Sequence, residues 1–359
     1  MHLARILLGS VVAFLLVEVL VFHTNLYPSI LSTSSSTGVL ETFLHNERRR
    51  VVTDRNQVLA IGDSRMGFFP RYANELKPAT GYTFATIATP GTTPRCWYYM
   101  LRDADPTRRR YSAIVIAVGD YEDAEIWENY ADRASDLRFL IARLRLSDLL
   151  EFSASYDDPA LRMAAARGIL LRGLVYKADF QDFLRHPVAR IQEARLSRRE
   201  SRHWFYDYTG PANNVKDVTI DWIAQQVNAP PNFDPGVKAE FRLRFLDPPA
   251  PEQGRHSAYL KHWFGKIYDL YRGSGTRIMF IRLPRGPVIR PDQPALNPHS
   301  SVRELAARPD VIVSPEHFFD PLEKPELFMD PYHMNGPGCA EFSRMLGRHV
   351  RELLGTPAS

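Results

Sequence analysis

The chain has 359 residues, 45% of them hydrophobic and 24% charged, proportions that exclude wholesale disorder and leave room for one large domain or two ordinary ones. Forty-five basic against 41 acidic residues give a net charge of +4, too small and too evenly mixed for a nucleic-acid binder. Two cysteines make neither a zinc framework nor a disulfide scaffold.

The first informative segment is the N-terminus. Arg5 precedes an apolar run from 6 to 22 that only Gly9, Ser10 and Glu18 interrupt. A membrane-spanning helix needs about 20 mostly apolar residues and tolerates ~17, so the run qualifies. No small-residue cleavage site follows Phe22, so residues 1–24 are expected to be an uncleaved anchor rather than a signal peptide. No Lys or Arg occurs between Arg5 and Arg48, which places the N-terminus in the cytoplasm and the remainder outside. The expected location is therefore the inner (plasma) membrane, single-pass, with the bulk of the chain periplasmic or otherwise extracytoplasmic. Glu18 is expensive in lipid and is expected to face a partner helix. The polar stretch 32–38 makes residues 25–50 read as a tether.

Residues 51–355 read as one α/β domain. Candidate strands are 57–61, 83–88, 112–118, 277–283 and 311–313, with 112–118 (SAIVIAV) the clearest buried one. Helical patterns at 70–77, 95–103, 131–149, 257–272 and 337–354 separate them. Strand–helix alternation implies a parallel sheet of about five strands, with any active site at the carboxyl ends of the strands. The pattern changes between about 150 and 255. Arginine-rich helices at 161–176 and 180–202 precede a Pro- and Asn-rich stretch from 211 to 251. This segment reads as a helical and irregular insertion, either a cap or a docking surface.

Two motifs carry chemistry. Gly62-Asp63-Ser64-Arg65 follows directly on the first strand. A serine there sits at the strand's carboxyl end with its hydroxyl in the cleft, although the same tripeptide also serves as a plain helix N-cap. Met329-Asp330-Pro331-Tyr332-His333-Met334-Asn335-Gly336 lies between the last strand and the last helix. Of eleven histidines, only His333 has an Asp three residues earlier. Asp330 can hold the imidazole tautomer while the other ring nitrogen faces Ser64, which closes a serine–histidine–aspartate triad.

These two blocks resemble those of the SGNH (GDSL-type) hydrolase superfamily: Gly62-Asp63-Ser64 its first, Asp330 and His333 its last. The continuation HMNGPGCAEFSRML is similar to the ending of a membrane-anchored branch that works with polysaccharide or cell-envelope O-acyltransferase systems. The resemblance implies a three-layer, flavodoxin-like α/β fold over roughly 55–355, insertion excluded. It implies that His333 deprotonates Ser64, that Ser64 attacks an acyl ester, and that the N–H groups of Ser64 and Gly91 form the oxyanion hole. Gly91 fits the second block acceptably. The third block, usually Gly-x-Asn-Asp, reads Gly119-Asp120-Tyr121-Glu122 and lacks the Asn donor. No cofactor and no metal are implied. The implied partners are an acylated carbohydrate or other acyl donor, a membrane-bound O-acyltransferase and the membrane itself.

Further positions have two readings each. Asp63 is expected to stiffen the serine turn. Arg65 either touches an anionic acceptor or is ion-paired, the second being the commoner state of such a residue. Gly119 and Tyr121 stand where the third block would contribute. Arg282 and Arg285 end the fourth strand and are expected at the same rim, as substrate contacts or simply solvated. Asp120 and Glu122 more often cap than catalyse. Trp97, Tyr98 and Tyr99 read as helix packing rather than a sugar platform, and the basic run 185–202 as a solvated face. Cys96 and Cys339 flank the same cleft; a disulfide is open, with buried free thiols the favoured alternative. Three functions follow: an acyl-ester enzyme on envelope or exported polysaccharide, a general secreted esterase or lipase, and a non-catalytic assembly or carbohydrate-binding protein on the same frame.

Overall fold

The computed structural model describes residues 2–24, 26–52, 56–125, 130–200, 215–248, 253–291 and 294–356. The chain divides into two compact units, Met1–Arg50 with Ala131–His203, and Val51–Tyr130 with Trp204–Ser359.

The second unit is α/β. Its strands are β1 (Gln57–Ile61), β2 (Thr83–Thr86), β3 (Ala113–Val118), β4 (Thr219–Asp221), β5 (Gln226–Asn228), β6 (Arg277–Arg282) and β7 (Val311–Val313). Five of them form a parallel sheet in the order β2-β1-β3-β6-β7, and β4 and β5 form a separate antiparallel hairpin. The register pairs Val58 with both Phe84 and Ala113, and Ala113 with Arg277. β1 and β3 are buried along their whole length. That is why both read as unbroken apolar runs rather than alternating ones. The five expected strands are all present, with ends differing by at most two residues. The hairpin was hidden in a stretch rich in proline and asparagine. Strand order reverses at β1, so the loops after β1 and β3 open at the sheet's switch point, where α/β sheets place ligands.

Helices cover the sheet. Pro94–Ala104 packs on Gln253–Tyr271 through Trp97 stacked on Phe264, and through Tyr98 and Tyr99 against Trp263. These three aromatics are thus helix packing residues. The expected helix 70–77 is instead three short pieces, Phe69–Ala73, Asn74–Leu76 and Lys77–Thr80, with a proline opening the first and the last. The final helix, Gly336–Leu354, starts at the Asn335 cap, whose side chain accepts from the Gly338 N–H.

The first unit is helical. Its apolar helix runs from His2 to Phe22 and is long and apolar enough to cross a membrane. Glu18 is buried and meets a group of its own unit, the Gly173 N–H at 3.0 Å. The expected tether is folded. Ser36–Arg49 is a helix with Leu40 and Leu44 buried, and the serines that suggested a linker include its cap, Ser35. The helices expected at 161–176 and 180–202 are four, Pro159–Leu170, Arg172–Val175, Lys177–Arg185 and Pro187–Glu200; residues 201 and 202 lie outside the described residues. The segment read as an insertion is therefore divided. Its helical part begins at 131, earlier than expected, and folds with the N-terminal 50 residues, whereas 215–248 belongs with the sheet.

Candidate active site

Ser64 opens a short 3-10 turn immediately after β1. Asp63 caps that turn, its Oδ1 accepting from the Arg65 N–H at 2.9 Å. Across the unit, the Asp330 carboxylate braces the loop before the last helix from within. Asp330 Oδ1 accepts from the N–H groups of Tyr332 and His333, both at 2.7 Å. Its Oδ2 takes His333 Nδ1 at 2.7 Å, and His333 Nε2 lies 2.8 Å from Ser64 Oγ. Residues 269 positions apart are in hydrogen-bond contact. With Nδ1–H held by the carboxylate, Nε2 is left as the acceptor that faces the serine hydroxyl.

Electrostatics fix the carboxylates in their charged forms. Burial pushes the Asp330 carboxyl up, but the hydrogen bonds and charge of His333 override it and hold it below the usual range. Asp63 behaves alike: burial is outweighed by the Arg65 guanidinium.

Arg65 does not reach outward. It is buried and bridges Asp63, at 2.9 Å, to Glu125, at 3.0 Å. Glu125 in turn pairs with Arg244 at 3.4 Å, and the Arg244 guanidinium lies 4.6 Å from the Tyr332 ring centroid. This buried chain of charges joins the Ser64 turn to the His333 turn. Neither Glu125 nor Arg244 was visible as a site residue in the sequence: one sits in an unpatterned loop, the other in a helix, Pro235–Phe245, read as part of the insertion.

The loop after β3, where the resemblance led to the expectation of a third block, is built around Glu125. A methyl group on Gly119 would overlap the Glu125 carboxylate, 1.2 Å away, so only glycine lets that carboxylate reach the two arginines. Tyr121 points away from the cleft. It is buried, and its hydroxyl donates to Phe280 O and Ser314 O at 3.2 and 3.0 Å. It therefore cannot stand in for the missing Asn. Gly91 adopts φ +71° in the turn after β2, a left-handed backbone that favours glycine. That turn is tied to the serine loop, since both the Thr89 N–H and Thr92 Oγ1 bond Gly62 O, at 3.3 and 3.4 Å. Among the described residues no acceptor takes the N–H of Ser64 or of Gly91.

Arg282 and Arg285 do lie at the end of β6, but acids hold both. Arg282, 2% exposed, pairs with Asp320 and Glu323, and Arg285 with Glu323 at 2.6 Å. Both line a cavity of about 570 Å³ that also touches Gly119, Leu243, Phe245 and Tyr332. That size suits a small organic ligand. Cys96 and Cys339 are both buried free thiols, so the disulfide does not form. Among the described residues no three His, Cys, Asp or Glu side chains gather as metal ligands.

Glu122 pairs with Arg303, and Asp120 accepts from the N–H groups of Glu122 and Ala124 at 2.7 and 3.0 Å. These contacts are structural. Asp120 has a measurable signature. Burial, reinforced by the neighbouring Glu125 carboxylate, pushes its carboxyl up to about 6. In the unfolded chain it titrates near ~3.9. Between those values the folded state binds more protons, so the stability this group supplies is complete below pH ~4 and lost as the pH rises through 6. Asp120→Asn keeps the acceptor oxygen and removes the charge. Urea unfolding should show it stabilised by roughly 1–3 kcal/mol at pH 7.5 and little changed at pH 4. An equal effect at both values would mean the charge is not the cause.

The chain matches no family model and no curated protein.

Proposed function

We propose that the protein is a serine-dependent acyl-ester enzyme in which Ser64 is the nucleophile, His333 the general base and Asp330 the group that orients it. The carrying observation is the pair of contacts on His333, 2.8 Å to Ser64 Oγ and 2.7 Å to the Asp330 carboxylate. The base takes the Ser64 proton as Oγ attacks the acyl carbon. The N–H groups of Ser64 and Gly91 receive the developing oxyanion, with no side-chain donor from the third block. The alcohol leaves with the proton from His333, and the acyl-serine passes to water or to a sugar hydroxyl. Residue types, order and spacing support an SGNH-type relationship, with the parallel sheet as its frame. The remaining inferred parts follow from that likeness: an acylated carbohydrate or other acyl donor, an envelope or exported polysaccharide as acceptor, and a membrane-bound O-acyltransferase as partner.

The test is a fluorophosphonate probe, which phosphonylates activated serine hydroxyls. The purified chain should be labelled, and peptide mapping should place the adduct on Ser64. Absence of labelling in folded protein would sink the hydrolase reading in favour of a non-catalytic role.

The one-sided Arg5 supports a topology with the sheet-bearing unit outside the plasma membrane. Alkaline phosphatase fused after residue 52 should be active. An inactive phosphatase together with an active cytoplasmic reporter at the same site would reverse the topology.

A further inference from the structure

The net charge of the chain is concentrated in one stretch. Residues 159–200 carry nine basic and four acidic side chains, a net of +5, against +4 for the whole protein. The helices of this stretch gather at the end of the apolar helix. The Gly173 N–H donates to both oxygens of Glu18, at 3.0 and 3.2 Å, and Arg172 donates to Phe22 O at 3.3 Å. His23 Nε2 lies 3.2 Å from Leu170 O. Phe180 packs edge-on against Phe22 and Tyr27, with ring centroids 5.2 and 5.3 Å apart, and the Tyr27 hydroxyl donates to Asp179.

At 1.5 Å per residue the 21-residue helix is ~31 Å long, the thickness of a bilayer's hydrocarbon core. Filling that core brings the last turn, Glu18–Phe22, to its boundary. Whatever packs on this turn then stands at headgroup level. Large apolar side chains there lie open: Leu26 is 69% exposed, Leu170 49%, Leu174 48% and Leu184 62%. Exposed cations, Arg167, Lys177 and Arg185, alternate with them. Uncovered leucines interleaved with cations are what an interfacial helix presents to anionic lipid.

We propose that residues 159–200, together with Leu26, form a membrane-surface collar around the outlet of the anchor. Its leucines enter the acyl boundary, and the exposed Arg167, Lys177 and Arg185 meet anionic headgroups. The proposal rests on the reading of residues 6–22 as a membrane anchor. The occupant is lipid rather than protein because the collar is fastened to the very turn that leaves the bilayer. A collar so fastened gives the unit a fixed depth at the membrane, which a lone anchor on a flexible tether would lack.

The test uses the full chain reconstituted in vesicles of phosphatidylglycerol and phosphatidylcholine, some carrying shallow or deep brominated acyl chains. Single reporter cysteines, Leu174→Cys and Leu184→Cys, are labelled with an environment-sensitive fluorophore, since the native thiols are buried. Val12→Cys reports on the anchor, and Ile223→Cys, at a site 98% exposed in the other unit, serves as the aqueous control. Shallow bromines should quench the labels at 174 and 184, deep bromines the label at 12, and neither the label at 223. In phosphatidylcholine alone, quenching at 174 and 184 should fall while that at 12 persists. Quenching at 12 without quenching at 174 and 184 overturns the collar and leaves the anchor standing. No quenching at 12 overturns the anchor, and the collar with it. Equal quenching at 174 and 184 in both lipid mixtures overturns the role of charge.

Discussion

Replacing Ser64 with alanine is expected to lower the turnover of p-nitrophenyl acetate roughly 10⁶-fold, to the residual rate set by binding and the backbone N–H groups. The size follows from the chemistry. The Ser64 hydroxyl, 2.8 Å from His333 Nε2, is the proposed acyl carrier, so its loss removes the covalent route rather than weakening it. The fold should survive. Ser64 is only partly buried and begins a turn that Asp63 caps, so the alanine leaves the backbone bonds in place. The measurement is initial rate per mole of folded protein, with thermal unfolding run alongside. A variant within about tenfold of the parent rate, at unchanged stability, would remove Ser64 from the mechanism.

Asp330→Asn is expected to cost about 10⁴ in kcat with little change in KM. The carboxylate does two jobs at once. Its Oδ1 takes two backbone N–H groups, and its Oδ2 takes His333 Nδ1. An amide keeps one acceptor oxygen and presents an NH₂ group to the other partner. If the oxygen stays with the loop, the NH₂ faces Nδ1, the ring takes the opposite tautomer, and a proton stands where Ser64 must deliver its own. If the amide flips, the loop that carries His333 loses its two bonds. Either way the base is disabled while the side chains that line the neighbouring cavity, Asp330 not among them, are unchanged, which is why kcat rather than KM should move. The split between the two parameters, from a full saturation curve, checks this. A rise in KM at unchanged kcat would assign Asp330 to binding instead.

Under the proposed mechanism, the absent third-block donor has a kinetic consequence in the same assay. Tyr121 is committed to Phe280 O and Ser314 O, and the space above Gly119 is filled by Glu125. Removal of one oxyanion donor costs ~10²–10³ in other enzymes. The geometry thus suits slow hydrolysis, and transfer to an acceptor held in place offsets such a deficit better than attack by water.

Much of this site could be read before any fold was known. Gly62-Asp63-Ser64 after an apolar run and Asp330-x-x-His333 before the last helix are local patterns, each set by a turn of a few residues. So are the strands, because a doubly covered parallel sheet demands unbroken apolar runs, and β3 shows one. The bridging charges were not legible. Arg65, Glu125 and Arg244 become partners only because the sheet unit brings three separate loops and helices together, and no spacing between 65, 125 and 244 encodes an ion pair.

Periodicity and contacts within one turn made the class of fold, the apolar helix and the candidate trio Ser64, His333 and Asp330 legible in the chain. Where the other segments belong depends on contacts between residues far apart in the chain. A serine-rich stretch that composition reads as a tether folds as a helix, since Leu40 and Leu44 find neighbours to bury against. Residues 131–200 fold in one unit with the first fifty, and Arg282 and Arg285 are matched by acids from another loop. Burial and charge pairing between distant segments carry free energies of the same order as local propensity. They leave no period in the chain for a sequence reading to find.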